Sequence, residues 1–177
     1  METILLKNAS WVITDPTNYL IDSSIYIEND LIKAIGPSKK INEKYEKVSK
    51  IVKDCSGCIV TPGMINSHNH VYEIIQRGLG KTLTMEEWLR HVIYPTDKKL
   101  SGEEFYYNAL LACMDLVRNG STSVIDQLTK FARFNADKEM QAFLDFGIRG
   151  AVARASSTNS IIDKSENLTP KEELVQC

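Results

Sequence analysis

The chain of 177 residues has few cysteines, almost no excess of charge and no long apolar segment. Four cysteines are few for this length, so a reducing cytoplasmic setting is expected. A net charge of −2 gives no electrostatic attraction to nucleic acid or to an anionic membrane, so neither is an expected partner. No apolar run approaches the roughly 20 residues that span a bilayer, and residues 1–15 lack the features of a secretory signal.

The composition fits an ordinary globular protein. Hydrophobic residues make up 43% of the chain and charged residues 25%, which is enough apolar mass for one core of usual size. Cys55 and Cys58 form a Cys-x-x-Cys pair, but one such pair is weak support for zinc. The Ser-Gly between them is typical of a turn, so we interpret the pair as part of a strand-turn-strand segment.

Residues 1–61 have the pattern of a small β-rich domain. Two runs of β-branched and aromatic residues, TILLKNASWVITD and SSIYIENDLIKAIG, are interrupted by turn-forming Pro, Asn and Asp. The charged stretch KKINEKYEKVSK predicts a solvated loop or a helical turn, and KIVKDCSGCIV predicts strand, turn and strand. The segment therefore predicts a small antiparallel sheet or one part of a β-sandwich.

Residues 62–177 change to an alternation of strands and helices. Short apolar segments at 63–68, 121–127 and 148–157 predict three strands, and helical periodicity fills the stretches between them. Strands that alternate with helices in this way pair in parallel through crossover connections. The sequence therefore predicts an α/β architecture for this part of the chain.

Several helix boundaries carry capping signals. Thr84, Ser101 and Thr169 are each followed three residues later by a glutamate, which is the capping-box pattern of a helix start. The first of these helices is expected to stop before Pro95. The last begins about two turns before Cys177, and so short a helix is marginal without a packing partner. We therefore expect the 177 residues to be the N-terminal portion of a longer protein.

The segment PGMINSHNH contains the strongest chemical signal. His68 and His70 lie two residues apart at the end of a predicted strand, so their side chains point to the same face. Their Cα atoms are then roughly 6–7 Å apart at about 3.3 Å per residue, and two imidazoles at that spacing can bind one ion. Imidazole suits zinc or iron. A pair of surface histidines after a turn is the alternative that the spacing leaves open.

The ordered motifs resemble those of a known family. VTPGMINSHNH is similar to the first barrel strand of the amidohydrolase superfamily, and Asn66 points to its aminohydrolase and chlorohydrolase branch. That branch includes methylthioadenosine/S-adenosylhomocysteine deaminases, guanine-type deaminases and triazine hydrolases. The resemblance extends through the Glu-Trp-Leu helix and the Gly-Ser-Thr strand to GIRGAVARASS. It implies a β-sandwich part over 1–61 and the first three β/α units of an incomplete (β/α)₈ barrel of TIM type over 62–177.

The resemblance also implies a chemistry. His68 and His70 match the first two ligands of one divalent metal, with zinc expected ahead of iron. Water activated by the metal would attack a ring carbon of a small-molecule substrate and displace ammonia or halide. The substrate would be a purine, a nucleoside or a triazine-like ring. His91, the third histidine, precedes the second strand and is interpreted as a surface or packing residue.

Three further positions match the substrate side of the family. Asp97 stands where nucleoside deaminases of this branch carry a glutamate that reaches the ribose hydroxyls, and the shorter acid changes that reach. Arg154 matches an arginine that faces the substrate, with a salt-bridged structural arginine as the alternative. Trp88 matches the tryptophan of the Glu-Trp-Leu helix, and helix packing is its alternative role. Asp126 and Gln127 end the predicted second strand and are left unassigned.

The number of units limits what these residues can do alone. A (β/α)₈ barrel takes about 250 residues, so three units would lack later ligands and the acid/base group, and the isolated chain is expected to be inactive. A homo-oligomer, or a second chain that completes the site, remains open as a partner. A cyclic amidohydrolase of the hydantoinase or dihydroorotase kind is a second hypothesis for function.

Overall fold

A computed structural model of the protein describes residues 2–156 and 169–175. The chain divides into two compact units, Met1–Pro62 and Gly63–Cys177. In the described part of the chain, no helix has both the length and the apolar character that a membrane crossing requires.

The first unit contains one five-stranded sheet. The strands are β1 (Thr3–Asp15), β2 (Asn18–Glu28), β3 (Leu31–Pro37), β4 (Ile51–Asp54) and β5 (Ile59–Val60). The order is β3-β2-β1-β4, and β5 also pairs with β1. The first three strands are antiparallel, as expected, but β4 and β5 run parallel to β1. The expectation of a wholly antiparallel sheet is therefore wrong, because a helical crossover returns the chain to the direction of β1.

That crossover is the charged segment 39–50. It forms helix α1 (Ser38–Tyr45) and a 3₁₀ turn at Glu46–Val48, the helical alternative of the two that the sequence left open. Ile41 of α1 packs with Leu5 and Tyr26 in a buried cluster. The ring of Tyr45 stacks on Tyr26 with centroids 4.0 Å apart. One apolar side of a charged helix thus covers the sheet.

The second unit is built on three parallel strands. These are β6 (Met64–Asn69), β7 (Ser121–Gln127) and β8 (Arg149–Ala153), in the order β6-β7-β8, which confirms the predicted parallel pairing. A 3₁₀ segment at Val71–Gln76 follows β6. Helices α4 (Gly102–Arg118) and α5 (Ala136–Phe146) connect the strands, and α6 (Pro170–Val175) comes last. The main core of the unit consists of Val71, Ala109, Ala112, Cys113, Val124, Ala142, Phe143 and Ile148.

The two faces of this sheet differ. Val124 of β7 is buried under the helices, because alternate residues of a strand point to opposite faces. On the other face, Ile65 and Ile125 remain 71% and 46% exposed. Close packing on the helical face also explains Gly150, since a Cβ there would lie 2.3 Å from the ring of Phe143. The helix layer therefore presses on β8 at a position where only glycine fits.

All three predicted capping boxes form. Thr84 pairs with Glu87, Ser101 with Glu104 and Thr169 with Glu172. Each hydroxyl accepts an N–H that would otherwise lack a partner in the first turn of the helix.

The helix that begins after Thr84 does not stop before Pro95, so that expectation is wrong. It runs as α2 (Met85–Trp88), a π-helical turn at Leu89–Ile93 and α3 (Tyr94–Asp97) without a break. A π turn is wider than an α turn, and this one carries the chain past Pro95, which has no N–H to donate. The Thr96 hydroxyl donates to the Val92 carbonyl at 2.7 Å and so satisfies an acceptor near the irregular turn.

Candidate functional site

The histidine pair lies at the C-terminal end of β6. The ring centroids of His68 and His70 are 5.1 Å apart and the ring planes are inclined at 87°. His68 is exposed and His70 is half-buried. Two imidazoles held by one tetrahedral ion through bonds of about 2.1 Å would have centroids roughly 5 Å apart. The spacing of the pair therefore fits two ligands of a single zinc ion.

The second strand orients His70. Its Nδ1 lies 2.5 Å from the carbonyl oxygen of Gln127, the last residue of β7. A carbonyl oxygen can only accept a hydrogen bond, so Nδ1 carries the proton and Nε2 keeps its lone pair. Metal-binding histidines are commonly fixed in this way by a hydrogen bond from the other ring nitrogen. His70 is thus oriented as an Nε2 ligand by the backbone of the neighbouring strand.

The same strand end also holds the residue after His70. The Val71 N–H donates to Asp126 Oδ1 at 2.6 Å, and this contact is buried. The strand register places Asn69 opposite Asp126, so β7 contacts the chain on each side of His70. Two consecutive residues of β7 therefore accept hydrogen bonds at this position: Asp126 from the Val71 backbone N–H and Gln127 from the His70 ring.

The described residues supply two ligands and not a complete metal site. Across residues 2–156 and 169–175, no group of three or more His, Cys, Asp or Glu side chains is placed to hold a metal ion. His91 lies on the π turn and is exposed, in keeping with its interpretation as a surface residue. The donor set therefore fits half of a tetrahedral site.

Trp88 shares a cleft with His70. The cleft has a volume of about 390 Å³, and Glu73, Gln76 and Asn69 also line it. Trp88 is half-buried, and its ring approaches the backbone at Gly80, where a Cβ would lie 2.8 Å from the indole. The structure thus places one predicted substrate residue and one predicted metal ligand at the same cavity.

Asp97 is buried close to this cleft. It is 3% exposed, and one carboxylate oxygen accepts a hydrogen bond from the Thr129 hydroxyl. Thr129 in turn donates its backbone N–H to the Tyr72 hydroxyl at 3.2 Å, and that hydroxyl donates to Glu73 at 3.1 Å. Asp97 is therefore part of a buried polar network that connects α3 with the segment after His70.

Arg154 lies elsewhere. It is half-buried and lines a second cleft, of about 430 Å³, together with Arg133, Phe134 and Asp137. The lining of this cleft shares no residue with that of the cleft at His70. The structure thus places Trp88 in the cleft of His70, whose ring lies beside that of His68, and leaves Arg154 in a separate cleft.

Burial changes the acidity of the polar network. Burial raises the pKa of Glu73 and the pKa of Asp97 to about 7 each. The charge of Asp126 adds to the rise for Glu73, and the charge of Glu73 adds to the rise for Asp97. Burial is the larger cause for both groups, since removing an anion from water disfavours its charged form. Both carboxyl groups therefore take up protons at higher pH in the folded state than in the unfolded chain.

The raised pKa values of Glu73 and Asp97 should make the stability of the protein depend on pH. Because both folded pKa values lie above the unfolded ones, the folded state binds more protons between about pH 4 and about pH 7, and the resulting stability is lost as pH rises through 7. We expect the urea midpoint of the metal-free protein to fall between about pH 5 and about pH 8, and the double variant Glu73→Gln/Asp97→Asn to fall less. Glu103→Gln, at an exposed position, serves as the control. An equal fall in the wild type and the double variant would contradict the assignment.

Two acidic residues at the site had no assigned role in the sequence. Glu73 follows the histidines by three residues, and nothing in its spacing distinguishes it from a solvated acid. Glu139 is fully buried on α5, and its position three residues before Ala142 and four before Phe143 puts it on the apolar face of the helix. That spacing was an available signal for a buried acid.

Comparison with known proteins gives a family and a group of relatives. The sequence profile of the amidohydrolase family matches residues 59–176. A 5-methylthioadenosine/S-adenosylhomocysteine deaminase of Thermococcus sibiricus is 31% identical over 82% of this chain and 34% of its own length. A 5'-deoxyadenosine deaminase of Methanosarcina acetivorans is 31% identical over 86% of this chain and 33% of its own length.

A solved structure shares the fold. The zinc complex of an atrazine chlorohydrolase from Arthrobacter aurescens superposes with a TM-score of 0.78 at 28% identity, over 98% of this chain and 41% of that protein. The chain thus spans about a third of the length of the two deaminases that it matches.

Proposed function

Since this chain belongs to the amidohydrolase family, we propose that it supplies the first part of a metal-dependent aminohydrolase. The reaction is the hydrolytic removal of an amino group, or of a halogen, from a small ring such as a purine, a nucleoside or a triazine. The names of the similar proteins support this class, since they include deaminases of adenosine derivatives and a chlorohydrolase. The reducing cytoplasm is the proposed setting, from the small number of cysteines.

The arrangement of the histidines supports a metal at the end of β6. His68 and His70 would hold one divalent ion, zinc by preference, because the Gln127 carbonyl leaves Nε2 of His70 free beside the ring of His68. This orientation is the observation that carries the proposal. When bound, the ion supplies the Lewis acidity that activates water for attack at neutral pH. The residues of this chain hold the ligands in place and shape the cleft at their side.

We propose that three residues take part in substrate binding. Trp88 offers an aromatic face to a ring in the cleft that His70 also lines. Asp97 acts on the same cleft through the buried network of Thr129, Tyr72 and Glu73. Arg154 directly follows β8 but lines a different cleft, so a substrate contact from it would come from outside the cleft at His70.

We also propose an architecture for the two parts of the chain. Residues 62–177 would form the first three β/α units of a (β/α)₈ barrel, and residues 1–61 one part of a β-sandwich. The parallel order β6-β7-β8, with helices on one face and exposed apolar residues on the other, supports the barrel. The histidines then lie at the carboxyl ends of the strands, where enzymes of this fold place their chemistry.

Release of ammonia tests the proposed reaction. The complete enzyme that contains this chain as its first part, loaded with zinc, should release ammonia from 5'-methylthioadenosine, S-adenosylhomocysteine or 5'-deoxyadenosine, or chloride from a chlorotriazine. Removal of the metal with a chelator should abolish the release, and added zinc should restore it. A zinc-loaded protein that releases neither product from any of these rings would overturn the proposal.

A further inference from the structure

A second pair of ionisable residues lies behind the histidines, in the layer between sheet and helix. Asp126 of β7 and Glu139 of α5 are each 0% exposed. Asp126 Oδ1 accepts the Val71 N–H, while Oδ2 has no N–H or O–H donor other than the carboxyl group of Glu139 among the described residues. Both oxygens of Glu139 likewise lack any other donor in the described part of the chain. The two carboxyl groups are thus each other's partners.

Two buried carboxyl groups in contact cannot both be ionised, because their like charges would repel at low dielectric. One of them keeps a proton and donates it in a hydrogen bond to the other. Burial raises the pKa of both carboxyl groups, but only Asp126 also accepts a backbone N–H, that of Val71, which favours its charged form. The carboxylate of Asp126 raises the pKa of Glu139 further. Glu139 is therefore the donor and Asp126 the acceptor.

We propose that Glu139 is a positioning residue, which as a neutral carboxylic acid fixes the Asp126 carboxylate that holds the backbone N–H of Val71. Val71 follows His70 directly, and Gln127, the neighbour of Asp126, accepts from the ring of His70. Helix α5 is in this way connected to the orientation of His70 through two hydrogen bonds. The link to metal binding rests on the proposed function, whereas the link to Val71 stands on the geometry alone.

Two substitutions of Glu139 distinguish the loss of its hydrogen-bond donor from a change in side-chain volume. Glu139→Gln keeps a side chain of the same shape that can donate N–H to Asp126. Glu139→Met fills a similar volume and cannot donate, so it leaves the Asp126 carboxylate buried with one partner fewer. Glu103→Met, at an exposed position of α4, is the control for the substitution itself.

Zinc affinity and amide exchange are the first readouts. For Glu139→Met we expect zinc to bind about 10- to 100-fold more weakly, as when the partner of a metal ligand is lost, and the Val71 amide to exchange its hydrogen faster. Glu139→Gln should restore both values. A folded Glu139→Met protein with wild-type zinc affinity and wild-type Val71 exchange would overturn the proposal. If the wild type binds no zinc, the proposed function fails, and Val71 exchange alone still decides the role of Glu139.

The protonation state can be measured without a destabilising variant. The infrared spectrum of the wild type is recorded at about pH 9, where Glu73 and Asp97, with pKa values of about 7, are both ionised. It should still contain the carbonyl stretch of a buried protonated carboxyl group. Glu139→Gln should remove that band, while Glu103→Gln should keep it. A wild-type spectrum without the band, or a band that survives Glu139→Gln, would show that Glu139 is not the donor.

Discussion

Replacing both His68 and His70 by alanine should weaken zinc binding by at least about 100-fold, since loss of a residue that only supports a ligand already costs 10- to 100-fold. The reason is geometric: the two ring centroids lie 5.1 Å apart, which is the spacing of two imidazoles that share one ion. Binding is measured by competition with a chromogenic chelator, and bound metal by elemental analysis of the dialysed protein.

His91→Ala is the matched control for this experiment. It removes the third histidine of the chain from an exposed position on the π turn, so metal content should stay at the wild-type value. Stoichiometric zinc retained by the His68→Ala/His70→Ala protein would refute the assignment. So would an equal loss of zinc in His91→Ala.

Replacing Phe143 by alanine should destabilise the second unit by about 3–5 kcal/mol, the usual cost of removing a buried phenylalanine ring. Phe143 is 1% exposed, and its ring fills the space over Gly150 in the main core of the unit. The loss should appear as a lower urea midpoint and as faster amide exchange in β7 and β8.

Phe134→Ala removes the same ring from a position that is 52% exposed. It should therefore change the midpoint by a small fraction of the effect at Phe143. Equal effects at the two positions would mean that the layer between α5 and β8 is not the tightly packed core that the glycine at 150 indicates.

Much of the fold could be predicted from local sequence patterns. The capping boxes at Ser101 and Thr84 depend on side chains three residues apart, so they are readable without tertiary information. The parallel order of β6, β7 and β8 follows from helices between strands. The direction of β4 relative to β1 was mispredicted because it depends on α1, whose charged sequence was consistent with a loop.

The candidate site, too, was predictable from the sequence only in part. The histidine pair is visible from its spacing, because an extended strand puts alternate side chains on one face. The Gln127 contact to His70 is invisible in the sequence, since a backbone carbonyl is available at every residue and only the register of β6 on β7 selects this one. Glu139 was missed because an acid on an apolar helix face acquires its meaning from the partner that burial provides.

The π turn before Pro95 has a consequence for the angular phase of its helix. Trp88 and Asp97 are nine residues apart, and at 3.6 residues per turn a regular helix would point them to opposite sides. The π turn absorbs about one extra residue and shifts the phase of everything after it by about 100°. From one continuous helix, Trp88 can thus line the cleft of His70 while Asp97 contacts Thr129 close to the same cleft. Pro95, where the helix was expected to end, instead lies in the continuous helix that points both side chains toward one region.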